Sequence, residues 1–142
     1  MGTITAHHDG LGLNDLMTIY ADDPDPNAGG ASHVYHVKFQ NEATQVAEVQ
    51  FQHGPRLDPA SKKGITEAVL AVILIDRLTQ FQRGPMACPE NNETLFHLHE
   101  ALNFMRTRAQ NRAVQGVLGT MSTHTPDGSS SAAEHRKQSH SE

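Results

Sequence analysis

Tryptophan is missing from this chain, cysteine occurs once, tyrosine twice and phenylalanine five times. With 37% hydrophobic residues and so few large aromatics, 142 residues hold material for one modest core, and burial shared with a partner would add to it. The lone Cys88 excludes an intrachain disulfide and any metal centre built from several cysteines. No long hydrophobic run occurs either: "AVLAVILI" at 68–75 falls far below the roughly 20 residues that cross a bilayer. The opening "MGTITAHHDGLGLNDL" has neither the basic nor the apolar region of a secretory leader, so the expectation is a cytosolic protein.

Positive charge is scarce as well. Eleven Lys and Arg stand against sixteen Asp and Glu, a net charge of −5 and the wrong sign for coating a long nucleic acid. The cations are nevertheless clustered. Between Leu95 and Thr120 the one acid is Glu100, while Arg106, Arg108 and Arg112 crowd together, a local cationic end that suits a small anion. Signatures of catalysis are missing too: there is no nucleophile elbow, no Gly-rich phosphate loop with its lysine and no paired-cysteine motif. The ten histidines do not form a metal-binding pattern, since His97 and His99 are two apart on a predicted helix and His7 and His8 are adjacent. Cys88 reads as a small thiol at a helix start rather than a nucleophile. The expectation is a non-enzyme with no cofactor and no metal.

What is present divides into three stretches. Residues 1–31 carry no confident motif: "GLGLNDLMTIYA" fits a short helix or a strand, and "DDPDPNAGGAS" is an acidic turn region. "HVYHVKF" (33–39) and "QVAEVQF" (45–51) alternate, with Tyr35, Val37 and Phe39 on one face and Ala47, Val49 and Phe51 on one face of the second, predicting a β-hairpin that turns near "QNEAT". After the loop "QHGPRLDPASKKG", Thr66 and Glu67 offer a cap and a first-turn acid for a helix from about Ile65 to Phe81. That helix is apolar around nearly its whole girth, which predicts a self-association interface. A second helix starts near "CPENNE", with Pro89 in the first turn. It carries Leu95, Leu98, Leu102 and Met105 as one stripe, with Phe104 beside them, and runs to about Arg112 or Val114 before Gly116 ends it. The Ser- and His-rich end beyond is too poor in apolar residues to pack. The predicted fold class is α+β: a small N-terminal antiparallel β portion (1–63), a long two-helix antiparallel hairpin (64–120) that oligomerises through its helices, and a disordered tail (121–142).

Four residues invite a binding role, each beside a plainer reading. Arg108 and Arg112, four apart on one helix face, form either a fork for phosphate oxygens or a cationic complement to the helix C-terminus. Phe81 is either core or a platform for a nucleobase, and Asn91 either caps the second helix or reads a base or ribose edge. In an antiparallel hairpin the two pairs lie at opposite ends, about 17 residues at 1.5 Å each or some 25 Å apart, so they meet only across two antiparallel subunits.

The segment 64–120, with "AVLAVILIDRL", "FQRGPMACPENNE", "EAL" and "RTRAQNRAVQGVLGT", resembles the hairpin domain of phage anti-Thoeris and anti-CBASS sponge proteins. "HHDGLGLN" and "VAEVQFQHGP" resemble the longer anti-Thoeris branch, which adds a β-rich portion. Met86, Pro89, Asn92, Ala109 and Gln115 depart from the residues usual in the family. The resemblance implies a non-enzymatic sponge in the host bacterial cytoplasm. Such a sponge sequesters a cyclic ADP-ribose isomer with an O-glycosidic ribose linkage (glycocyclic ADP-ribose) and so blocks Thoeris antiviral signalling. It places family ligand contacts on Phe81, Asn91, Arg108 and Arg112, with Gly84 and Pro85 turning the chain between them. It further implies homodimers or hexamers built as trimers of dimers, and, as in some relatives, separate sites for the cyclic di- or trinucleotides of CBASS. Two rival readings are a structural or regulatory oligomer that binds a protein partner and an ADP-ribose-type hydrolase.

Overall fold

The computed structural model describes residues 1–41 and 45–116; the predicted tail at 121–142 and most of the predicted turn near "QNEAT" lie outside the described residues. The fold is α+β, and the chain divides into two compact units, Met1–Ile65 and Thr66–Glu142.

The first unit is a four-stranded antiparallel meander of β1 (Gly2–Ile4), β2 (Met17–Ala21), β3 (Val34–Phe39) and β4 (Gln45–Gln50), in that spatial order. The predicted β3–β4 hairpin is present, and its apolar alternation sets the register: Tyr35 faces Val49 and Val37 faces Ala47. A bulge between Val37 and Lys38 then shifts the pairing so that Lys38 faces Gln45. Tyr35 also meets Phe51 edge to face, ring centroids 5.7 Å apart. The ambiguous "GLGLNDLMTIYA" proves to be both alternatives in series, a 3-10 turn over Leu13–Leu16 and then β2. The turn is shaped by side-chain to backbone bonds, for Asp15 Oδ1 accepts from the amides of Asp9 at 2.9 Å and Gly10 at 3.1 Å, an arrangement that hydropathy cannot signal.

The acidic turn region is equally ordered. Asp22 Oδ1 accepts from the amides of His33 (2.8 Å) and Val34 (3.2 Å); burial raises the Asp22 carboxyl, but these two donors hold it below its ordinary value. The His33 ring, 8% exposed, stacks on His53 at 4.2 Å, and His53 Nε2 lies 2.8 Å from Asp25 Oδ2. The loop after β4 folds back. His53 and Lys62 exchange amide bonds of 2.9 Å, and Ile65 donates to Gln50 O at 2.9 Å. Gly64 makes this return possible: a Cβ there would sit 2.3 Å from the Phe51 carbonyl carbon and 2.5 Å from Gln50 O.

The second unit is the helical hairpin. α1 (Glu67–Gln82) is capped by Thr66, whose side chain accepts from the Val69 amide at 3.3 Å. α2 (Pro89–Val114) begins with Pro89 in its first turn and ends at Gly116, φ 75°, whose amide donates to Ala113 O at 3.1 Å. Inward positions recur every three or four residues: Ala71, Ile75 and Leu78 on α1, and Leu95, Leu98, Leu102 and Met105 on α2, all buried or half-buried. Outside this seam large apolar groups stand in solvent, among them Ile73 at 56% and Phe104 at 72% exposure. Phe104, read from sequence as lying beside the stripe, is exposed next to it.

Two outcomes are expected of the first unit. Gly64→Ala should lower its stability by about 1–3 kcal/mol, because the new methyl meets backbone on β4 and not a flexible side-chain end; a denaturant midpoint equal to the parent's would contradict this. The hydrogen bond from His53 holds the Asp25 carboxyl below its ordinary value. A depressed carboxyl stabilises the fold above its unfolded pKa and loses that contribution as pH falls through its folded one. Asp25→Asn should therefore flatten the acid side of a stability-versus-pH curve and leave the alkaline side in place.

Candidate ligand site at the ends of the helical hairpin

At the closed end of the hairpin, Gln82 is the organising side chain. Its Oε1 accepts from the Cys88 amide (3.0 Å) and from Asn91 Nδ2 (2.9 Å); its Nε2 donates to Cys88 O (3.0 Å) and Asn92 Oδ1 (2.9 Å). Cys88 occupies the N-cap position of α2 without a side-chain capping bond, so Gln82 ties the start of α2 to the end of α1. Asn91 does not cap the helix. It donates from Nδ2 to Gln82 and, at 3.2 Å, to Met86 O. Gly84, expected to turn the chain, does not take up a left-handed conformation, and a Cβ there would meet nothing nearer than Phe81 O at 4.0 Å. The bend is carried by amide bonds from Arg83 to Gln80 O and from Gly84 to Phe81 O, both 3.1 Å.

Phe81 is half-buried, and the Arg77 guanidinium lies over its ring, 4.9 Å from the centroid. Arg77 also borders an open groove of about 530 Å³ with Val72, Ile73, Asp76 and Gln80 on the outer side of α1. Arg77 thus covers one face of the Phe81 ring within α1.

The arginines lie near the other end of α2. Arg112 is 6% exposed and already engaged by neighbouring groups, whereas Arg108 is exposed. Burial and then the charge of Arg108 push the Arg112 guanidinium below its ordinary pKa. The two are thus unequal: Arg108 faces solvent and Arg112 continues the inward stripe. Within one chain the structure brings Asn91 to the closed end beside Gln82 and leaves Arg108 about 25 Å away along α2, from a 1.5 Å rise per residue.

Among the described residues no three His, Cys, Asp or Glu side chains gather to hold a metal ion, and no helix is long and apolar enough to cross a membrane. No family model matches the sequence. One curated protein does, Thoeris anti-defense 1 of Bacillus phage SBSphiJ7, 35% identical over 92 residues, which make up 65% of this chain. The chain is similar to a phage anti-defence protein. It spans 63% of the length of that relative.

Sequence reasoning passed over Gln82 and Arg77. The signal for Gln82 was available, since the inward positions 71, 75 and 78 lead to 82 by the same spacing. The unequal burial of the arginines predicts unequal variants. Arg112→Ala should destabilise the protein by about 1–3 kcal/mol, and Arg108→Ala should stay within about 0.5 kcal/mol of the parent. Denaturation midpoints that fall together would contradict the placement of Arg112 on the seam.

Proposed function

We propose that this protein is a phage anti-Thoeris protein of the sponge type, binding a cyclic ADP-ribose isomer and holding it intact so that host signalling fails. The observation that carries the proposal is the 35% identity with Thoeris anti-defense 1; the spacing of Arg108 and Arg112, four apart near the C-terminus of α2, is in keeping with it. In this reading Phe81 stacks on the base, Asn91 bonds to the base or ribose, and Arg108 and Arg112 take the diphosphate. The 25 Å between the two pairs is met by two hairpins packed antiparallel, each closed end against the other copy's arginines. The exposed apolar flank of α1, with Val72, Ile73 and Leu74, supplies a surface for that pairing.

The test is capture and release. Purified protein is incubated with the O-glycosidically linked cyclic ADP-ribose isomer, freed of unbound ligand, then heat-denatured, and the released molecule is examined by chromatography and mass. Intact ligand in stoichiometric amount is expected. Altered ligand would mean a hydrolase, and no uptake would leave the structural oligomer. Arg108→Ala should weaken binding by about 2–4 kcal/mol through loss of a charge-assisted contact, and Phe81→Ala by about 1–3 kcal/mol through loss of stacking. Co-refolding the two variants should recover binding, because a mixed pair contains one undamaged site; no recovery by calorimetry would exclude a site shared between copies.

A further inference from the structure

We infer that Gln82 is a positioning residue that locks the Asn91 amide so that the site accepts only a ligand offering a hydrogen-bond donor at that point. The inference rests on the sponge reading and specifies the chemistry of its closed end.

Amide orientation is ordinarily ambiguous, since the oxygen and nitrogen of Asn and Gln are nearly interchangeable in shape. Here the backbone removes the ambiguity. Cys88 offers Gln82 one donor, its amide N–H, and one acceptor, its carbonyl, each 3.0 Å from the complementary end of the Gln82 carboxamide. Turning that amide over would set oxygen against oxygen and N–H against N–H. Gln82 Oε1 is therefore fixed, and the Asn91 atom 2.9 Å from it must be a nitrogen. The second partner of that nitrogen, Met86 O at 3.2 Å, is likewise a pure acceptor. Both Asn91 N–H groups are thereby directed into the protein. The remaining hydrogen-bonding capacity of Asn91 is its carbonyl oxygen, which accepts and cannot donate.

A free asparagine adapts to donor or acceptor by rotating its amide half a turn. This one cannot rotate without breaking two bonds of its own. A ligand group meeting it must be a donor, either an exocyclic amine such as that of adenine or a ribose hydroxyl, and an acceptor at the same place leaves two lone pairs opposed. Gln82 need not touch the ligand for this: it acts through Asn91.

The experiment measures selectivity. The O-glycosidic cyclic ADP-ribose isomer is compared by calorimetry with its hypoxanthine counterpart, in which the amine becomes a carbonyl, and with counterparts lacking one ribose hydroxyl. One of these should bind about tenfold or more weakly, and which one identifies the donor. In Gln82→Ala the Asn91 amide is free to turn, so that ratio should collapse towards one. Gln82→Glu keeps an oxygen for the Cys88 amide and Asn91 but sets its second oxygen, where Nε2 donated, against Cys88 O and Asn92 Oδ1, so it too should loosen the lock and lower the ratio. In the free parent protein, the Asn91 side-chain N–H protons should exchange with solvent more slowly than in Gln82→Ala, as read by NMR. Equal binding of every analogue, a selectivity ratio unchanged by Gln82→Ala, or exchange unchanged by Gln82→Ala would each overturn the inference with the sponge reading intact. Failure of the parent ligand itself to bind would overturn both.

Discussion

The seam between α1 and α2 is the constraint on which the hairpin's chemistry depends. It is built from small and medium side chains, Ala71, Ile75 and Leu78 against Leu95, Leu98, Leu102 and Met105. Its periodicity extends beyond its apolar part. One step past Leu78 lies Gln82; one step before Leu95 lies Asn91; beyond Met105 the same spacing reaches Ala109 and then Arg112. Gln82 and the candidates Asn91 and Arg112 thus occupy the terminal positions of the core stripe. Their backbones are held by helix geometry, and the Gln82 and Asn91 side chains by hydrogen bonds at the closed end, so the proposed site would stand on rigid elements rather than on loops.

This arrangement also sets how much could be read from sequence. The β3–β4 pair and both helices were legible because each carries several periods of its own pattern and, in the helices, recognisable ends: Thr66 at one start, Pro89 at the other and Gly116 at the close. β1 and β2 were not, because three and five residues hold too few alternations, and the turn between them is formed by Asp9 and Asp15 side chains bonding to backbone amides. The four candidate residues were legible as types but not as environments. Counting from Leu95 in steps of three and four reaches Arg112 through either Arg108 or Ala109, so the pattern did not separate the buried arginine from the exposed one. Gln82 went unread for a different reason. A glutamine at the last position of a helix resembles any solvated polar residue until the neighbouring backbone that it grips is known.

The charge distribution gives the arginine end its direction. In a chain of net charge −5, Arg112 sits 6% exposed with its cation disfavoured first by burial and then by Arg108. Arg112 is also engaged by neighbouring groups, so its burial is accounted for within the protein, while exposed Arg108 is the arginine open to solvent at this end of α2.

If the closed end of one copy and the arginine end of another share a ligand, binding and assembly become one equilibrium. A molecule that touches Phe81 and Asn91 on one chain and Arg108 and Arg112 on the other favours only the paired form. The pair then gains RT ln(1 + [L]/Kd) per site, on the order of 2.7 kcal/mol at a hundredfold excess over Kd. The converse holds with equal force by linkage: whatever pre-assembles the pair tightens capture, because no association cost remains to be met when ligand arrives. The apolar flank of α1, poorly covered within a single chain, acts on that term. Under the proposed sponge function, its value would lie in pairing the copies before the signal appears, with Asn91 of one copy and the arginines of the other already at the separation the ligand needs.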